Sequence, residues 1–219
     1  RNYMNIAFMI LELGKGFITT VEIFALTLIF SLPLGLIISF GRMSKNGILR
    51  TLTKFYISIM RGTPLMLQLI VVYYGPFYVF GIQLSRSYRF IAVILAFVLN
   101  YAAYFAEIYR SGIESMPKGQ YEAAKVLGYT KGQTFFKIIL PQVIKRIMPS
   151  ITNETITLVK DTSLAFVLSI VEMFTTAKQI ASSETTIMPL MVAGLFYYIF
   201  NLAVAVGMEQ IERKLNYYR

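Results

Sequence analysis

Long apolar segments are the feature that most limits what this 219-residue chain can fold into. A transmembrane helix needs about 20 mostly apolar residues, because a rise of 1.5 Å per residue must cross roughly 30 Å of hydrocarbon. Five segments meet this requirement, and they are residues 17–40, 62–80, 90–107, 150–171 and 187–207. The sequence therefore predicts an all-α membrane protein with five transmembrane helices, forming a single domain over residues 1–219.

Two apolar segments depart from the pattern of a simple transmembrane helix. The fourth is the weakest, because it contains Glu154, Lys160 and Asp161. Residues 4–11 are also apolar, but they are too few to span a bilayer and are followed by no small-residue cleavage site. We expect them to form a separate interfacial helix rather than a signal peptide.

The composition excludes several kinds of chemistry. Hydrophobic residues make up 56% of the chain and charged residues 15%, and there is no cysteine or histidine. The chain therefore cannot form a disulfide, a cysteine or histidine zinc site, or a Ser-His-Asp triad, and it has no phosphate-binding GxxxxGK[ST] loop. We expect no catalytic residues, no metal site and no cofactor in this chain.

The positive charges predict the orientation. The formal net charge is +10, and lysine and arginine residues that flank transmembrane helices remain in the cytoplasm. Fourteen of the 21 lie after the first span, after the third span or in the C-terminal tail, and five lie in the remaining flanks. The N-terminus is therefore predicted outside and the C-terminus in the cytoplasm, with Arg61 and Lys160 left at membrane depth.

About forty residues between the third and fourth spans are too polar to cross a membrane. Pro117 and Gly119 precede a short helical pattern that stops at Gly128, and a second amphipathic helix is predicted from about Thr130 until Pro141 ends or kinks it. From periodicity alone, this segment is either a docking element or an ordinary surface helix.

A motif in this segment resembles a known family. Glu122-Ala123-Ala124, Gly128, Ile138 and Leu140-Pro141 match the fixed positions of the EAA signature of bacterial ATP-binding-cassette (ABC) importer permeases. Four further segments resemble the polar amino acid branch of that family, and they are residues 61–64, 106–110, 117–120 and 153–164. The resemblance extends over nearly the whole chain from the first span onward.

The resemblance implies a type I importer permease fold, and a coupling helix at about residues 118–128 that docks on an ATPase subunit. Its docking residues would be Gly119, Glu122, Ala123, Ala124 and Gly128. The implied partners are two ATPase subunits that hold ATP and Mg, a second permease copy in a homodimer or heterodimer, an extracytoplasmic binding protein and an amino acid substrate. The implied location is the bacterial inner membrane as a multi-pass protein, with no role for nucleic acid.

Polar residues inside the predicted spans are candidates for a substrate pathway, because ionisable groups in a membrane are costly unless they face a partner or water. Three groups recur at helical spacing, and they are Glu154, Thr157 and Asp161; Asn100, Tyr104 and Glu107; and Arg61 and Gln68. Lys160 lies beside the first group. Three helices would thus each present one polar face.

Structural alternatives remain open for several of these residues. Lys160 could form a structural ion pair with Asp161 or Glu107, and Arg61 could extend to the lipid phosphates. For Glu107, a structural ion pair and a place in the pathway lining are equally expected. Glu154 is the strongest candidate for direct contact with a ligand.

The sequence thus favours the permease subunit of an ATP-driven amino acid importer. Three intramembrane acids outnumber two bases, which favours arginine, lysine or histidine as substrate, then glutamine, with glutamate and aspartate last. One alternative is a secondary transporter or channel driven by an ion gradient. The other is a membrane enzyme, for which the missing histidine and cysteine leave few catalytic groups.

Overall fold

A computed structural model describes residues 6–215, and no β-strand occurs in that range. The helices are α1 (Ile6–Arg42), α2 (Gly47–Gly62), α3 (Leu65–Phe80), α4 (Arg86–Glu114), α5 (Lys118–Val126), α6 (Lys131–Gln133), α7 (Leu140–Asp161), α8 (Met173–Ser183) and α9 (Met188–Leu215). A π-helical segment, Thr134–Ile139, joins α6 to α7, and a 3-10 segment, Thr162–Leu168, follows α7. The prediction of an all-α chain is confirmed for the described residues.

Helix α4 forms the centre of the protein. It packs against α1, α2, α3 and α7, and its side chains Phe97, Tyr101 and Phe105 are almost fully buried in the main apolar core. Helix α9 is peripheral, because only Pro189 and Ala193 of its residues are buried. The polar residues of α4 therefore lie between helices rather than on the outer surface.

Small residues let α1 and α4 pack closely. The buried face of α1 carries small residues at helical spacing, of which Gly16 and Thr20 lie against Met173 of α8 and Gly35 lies against α4. A Cβ atom placed on Gly35 would lie 2.7 Å from the Cβ of Phe105 and 3.1 Å from the carbonyl oxygen of Ala102. Close backbone approach through small residues is the usual means of helix association in a membrane, where lipid removes the hydrophobic driving force.

The prediction of five transmembrane helices is wrong for the described residues. Three helices, α1, α4 and α9, are long and apolar enough to cross a membrane, and a fourth span results if α2 and α3 are counted as one broken span. The predicted second span begins only at Leu65, because α2 and α3 meet at a bend of 113°. The predicted fourth span is divided, because α7 ends at Asp161 and a 3-10 segment takes over.

The separate interfacial helix predicted at residues 4–11 is also wrong for the part that the structure describes. Residues 6–11 are the first turns of α1, which continues for 37 residues without a break. Residues 4 and 5 lie outside the described range. The predicted orientation of the termini stays a prediction.

The segment between α4 and α7 follows the sequence pattern closely. Helix α5 begins after Pro117, and Gly128 turns the chain with a φ of +78°, a conformation that glycine adopts without strain. The hydroxyl of Thr130 accepts from the amide of Gln133, whose side chain accepts from the amide of Thr130, so the next helix begins with a capping box. Pro141 does not end this helix, because it lies in the first turn of α7 directly after the π-helical segment.

Candidate functional site

A cavity of about 440 Å³ lies between α2, α4 and α7. Four of the residues predicted to line a pathway meet there, and they are Arg61, Tyr104, Glu107 and Glu154. The guanidinium carbon of Arg61 lies 5.2 Å from the centre of the Tyr104 ring, which is within range of a cation–π contact. Three helices therefore bring groups of both charges to one cavity.

Glu107 takes part in a group of ion pairs at one wall of this cavity. Its carboxylate lies 2.7 Å from a terminal guanidinium nitrogen of Arg110 and 3.7 Å from Nε of Arg42. Arg110 also bonds Glu114 at 2.6 Å. Glu107 thus both lines the cavity and is paired, so its negative charge is largely balanced by its own chain.

Glu154 is the other acidic residue of the cavity, and no ion pair balances its negative charge in the described residues. It is half-buried on α7, and no ion pair within 4.0 Å involves it among the described residues. Arg61 is close enough to act on it electrostatically. An unpaired acid and an unpaired base at one cavity can hold a ligand that carries both charges.

The other two predicted residues of α7 lie outside this cavity lining. Asp161 accepts a hydrogen bond of 2.7 Å from the hydroxyl of Tyr101 on α4. The hydroxyl of Thr157 donates to the carbonyl oxygen of Asn153 at 3.0 Å. Their place in a substrate pathway stays a prediction.

Lys160 is exposed, and no ion pair within 4.0 Å involves it in residues 6–215. The structural bridge to Asp161 or Glu107 considered from the sequence is therefore not formed there. Helix α7 turns this lysine away from Val159 and Leu158, which are fully buried.

Gln68 and Asn100 form a buried amide network at the bend between α2 and α3. The amide nitrogen of Gln68 donates to the carbonyl oxygens of Met60 and Thr63 and to the hydroxyl of Thr63, at 2.9–3.1 Å. The amide nitrogen of Asn100 donates to the carbonyl oxygen of Met60 at 3.0 Å and to the side-chain oxygen of Gln68 at 2.9 Å. Helix-end carbonyls inside a membrane need such partners, so these two residues stabilise the bend that carries Arg61.

The predicted coupling segment, α5 with Gly128, has two distinct faces. Ala124 is 1% exposed and packs against its own chain, whereas Ala123 and Glu122 are exposed. Val126 is 88% exposed and Leu127 is 73% exposed. The docking of α5 on another protein stays a prediction.

Three further residues with notable contacts were not among the predicted site residues. Arg110 and Arg146 line the cavity, and the first could have been found from its spacing of three residues from Glu107. Glu172 is fully buried and caps α8, accepting from the amides of Phe174 and Thr175 and from the hydroxyl of Tyr197. An isolated acid directly before a helical pattern was its only sequence signal.

Comparison with known proteins gives consistent matches along nearly the whole chain. Residues 31–217 match the family model described as binding-protein-dependent transport system inner membrane component. The putative glutamine transport system permease protein GlnP of Rickettsia conorii is 36% identical over 203 residues, covering 92% of this chain and 91% of that protein. The arginine transport system permease protein ArtQ of Bacillus subtilis is 38% identical, covering 92% of this chain and 91% of that protein.

A solved structure also matches. The crystal structure of an amino acid ABC transporter with histidines superposes with a TM-score of 0.85 at 29% identity, covering 98% of this chain and 99% of the matched chain.

Proposed function

The chain belongs to the family of binding-protein-dependent transport system inner membrane components, and from that premise we propose that it is the membrane subunit of an ATP-driven importer for basic or polar amino acids. Arginine, lysine and histidine are the favoured substrates, and glutamine follows. The chain provides the path and performs no bond chemistry.

The observation that carries this proposal is the cavity between α2, α4 and α7. Every free amino acid carries an ammonium and a carboxylate, and Glu154 and Arg61 offer one group of each opposite charge. Tyr104 adds an aromatic ring beside Arg61. A cavity of about 440 Å³ is large enough to hold an amino acid with several waters.

The preference for a basic side chain rests on the acids that remain available. Arg110 and Arg42 balance Glu107, which leaves Glu154 and Asp161 as acids outside any ion pair in the described residues. They lie two turns apart on α7. Asp161 lies outside the lining of the cavity, so it would meet a positively charged substrate at another point of the pathway, and this second acid supports arginine, lysine or histidine over glutamate.

Coupling to ATP hydrolysis depends on partner subunits. Two ATPase subunits, which hold ATP and Mg, would dock on the exposed face of α5 at Glu122, Ala123, Val126 and Leu127. A second permease copy would complete the pathway, and an extracytoplasmic binding protein would deliver the substrate. The bacterial inner membrane follows from this set of partners.

Uptake by the reconstituted complex tests the proposal. The permease is assembled in proteoliposomes with its ATPase and binding protein, and uptake of labelled arginine, lysine, histidine, glutamine and glutamate is measured with and without ATP. We expect ATP-dependent uptake of a basic amino acid. Uptake of glutamate alone would refute the substrate class, and uptake driven by an ion gradient without ATP would refute the mechanism.

A further inference from the structure

The cavity between α2, α4 and α7 extends beyond the part that the proposed function assigns to the substrate. Its lining on α4 runs from Tyr104 to Ser115, which are about 16 Å apart at the α-helical rise. Arg61 lies beside Tyr104 and is close enough to act electrostatically on Glu154, so both lie toward one end of the cavity. The residues toward Ser115 have no role in the proposed function.

Arg146 of α7 contacts Ser115 at this other end of the cavity. One of its guanidinium nitrogens donates to the carbonyl oxygen and to the hydroxyl of Ser115, both at 2.9 Å, so α4 fixes the position of the side chain. No ion pair within 4.0 Å involves Arg146 among residues 6–215. Its positive charge is therefore held in place without being balanced by an acid of that range.

Arg110, the other arginine on this part of the cavity wall, is already paired within its own helix. Its guanidinium bonds Glu107 at 2.7 Å and Glu114 at 2.6 Å. An incoming carboxylate would have to displace one of these two acids from Arg110. Arg146 is therefore the more available of the two arginines for binding an anionic group.

Small residues and hydroxyl groups surround Arg146. Ser111 and Ser150 line the cavity, and both are exposed. A Cβ atom on Gly112 would overlap Cγ2 of Ile147, so α4 and α7 are in close contact at this level. An arginine with neighbouring hydroxyl donors suits a carboxylate, because the guanidinium can donate two parallel hydrogen bonds to it.

Arg61 and Arg146 are too far apart to bind the same carboxylate at once. They contact α4 at Tyr104 and at Ser115, which are about 16 Å apart along that helix. The ammonium and the carboxylate of an amino acid, in contrast, are attached to one carbon atom. A substrate whose carboxylate lies on Arg61 therefore has to move along the cavity before Arg146 can bind it.

The Ser115 end of the cavity also lies toward α5. The chain passes from Ser115 into α5, and the side-chain amides of Gln120 on α5 and Gln142 on α7 donate to each other at 2.8 Å. In the proposed function α5 docks on an ATPase subunit, so the Ser115 end is the cytoplasmic end, where the substrate leaves.

We infer that Arg146 forms a second binding position for the carboxylate of the transported amino acid, on its way from Arg61 and Glu154 to the cytoplasm. This inference rests on the proposed function, because it requires an amino acid that enters the cavity from the other end. A binding position between the first site and the exit divides one long movement into two shorter ones, so its loss slows the passage of the substrate.

Cysteine labelling of the complete transporter tests this inference, because the chain has no cysteine of its own. Ser111→Cys places a thiol in the cavity, and its modification by a sulfonated methanethiosulfonate is timed with and without saturating arginine. We expect arginine to slow the modification at least about threefold, and Arg146→Gln in the same background to remove most of this protection. Ser183→Cys is the matched control, because Ser183 is exposed on α8 and does not line the cavity, so neither change should affect its modification rate.

Uptake of labelled arginine by proteoliposomes is the second readout. We expect Arg146→Gln to lower the maximal rate of ATP-driven uptake about fivefold, and Arg146→Lys, which keeps the charge but not the paired hydrogen bonds, to lower it less. Full protection of Ser111→Cys by arginine in the Arg146→Gln background, or a normal maximal rate of Arg146→Gln, would overturn the inference. Loss of co-purifying ATPase subunits from Arg146→Gln would also overturn it, because Arg146 would then belong to a protein contact. If the unaltered transporter took up no arginine with ATP, the proposed function itself would be refuted.

Discussion

Glu154 is the acidic side chain on which the substrate proposal depends most. Replacing it with glutamine keeps the size and removes the charge, so a substrate ammonium or guanidinium loses its partner. We expect Glu154→Gln to raise the substrate concentration needed for half-maximal uptake by about 10- to 100-fold, which corresponds to roughly 1.4–2.8 kcal/mol. Uptake of labelled arginine by proteoliposomes measures this.

The matched control for Glu154 is Glu209→Gln. Glu209 is exposed on α9 and pairs only with Arg213 among the ion pairs of the described residues. Its replacement should leave uptake unchanged, because exposed ion pairs contribute little. Equal uptake by the two variants would remove Glu154 from the pathway.

At the scale of single residues, the sequence identified the charged residues of the cavity more successfully than the hydrogen-bond partners of the polar residues around it. Arg61, Tyr104, Glu107 and Glu154 were predicted because polar groups inside apolar segments are conspicuous, and the structure brings them to one cavity. The roles of Gln68 and Asn100 could not be predicted, since they depend on where the bend between α2 and α3 places the carbonyl oxygen of Met60.

The side-chain amides of Gln68 and Asn100 stabilise the bend between α2 and α3, and Gln68 makes most of the contacts. Gln68→Leu keeps much of the side-chain volume but removes the donor to Met60 and Thr63 and leaves the Asn100 amide with one acceptor fewer. We expect a loss of about 1–3 kcal/mol in the free energy of unfolding, because the buried Asn100 amide loses an acceptor and the carbonyl oxygen of Thr63 loses its donor. Thermal unfolding in detergent measures the loss.

Thr63→Val provides the comparison for Gln68. It removes one hydroxyl acceptor at the same bend and leaves both carbonyl contacts of Gln68 in place. A smaller loss, about 0.5–1.5 kcal/mol, is expected. If Gln68→Leu were no worse than Thr63→Val, the network would not stabilise the bend.

The contact between α1 and α4 allows a second test at the scale of elements. In Gly35→Ala the added methyl group meets Phe105 and the carbonyl of Ala102, so the helices must separate. We expect destabilisation of about 1–3 kcal/mol in thermal unfolding. Gly14→Ala in the same helix is the control, since a Cβ there meets no atom within 4 Å, and it should be neutral or slightly stabilising.

Helix ends and turns were predicted correctly where their sequence signal is local. Helix α5, the turn at Gly128 and the helix start at Thr130 were predicted because proline, glycine and threonine act locally. The division of the 150–171 segment into α7 and a 3-10 turn was missed, because a hydropathy window counts apolar residues without testing whether one hydrogen-bond pattern continues.

At the scale of the whole molecule, the proposed docking of α5 on an ATPase subunit can be tested directly. Glu122→Lys reverses an exposed charge, and Gly128→Asp places a side chain at a φ of +78° and disturbs the turn after α5. We expect both variants to be inserted in the membrane at normal levels and to lose ATP-driven uptake by more than about tenfold. Membrane fractionation measures the amount of inserted protein, and uptake by proteoliposomes measures the ATP-driven transport.

Ala123 and Ala124 supply the matched pair for this test. Ala123→Asp alters the exposed face and should reduce uptake with little change in stability, whereas Ala124→Asp alters the buried face and should reduce stability itself. Normal uptake by Glu122→Lys and Gly128→Asp would refute the docking of α5 on an ATPase.

The side-chain amides of Gln120 on α5 and Gln142 on α7 donate to each other at 2.8 Å, so a movement of one helix is passed to the other. This pair fastens α5 to the first turn of α7, and Glu154 lies twelve residues further along the same helix, about 18 Å away at the α-helical rise. In the proposed function, a movement of α5 against the ATPase would be carried along α7 to Glu154. A tilt of about 10° would carry Glu154 through about 3 Å, the length of one hydrogen bond.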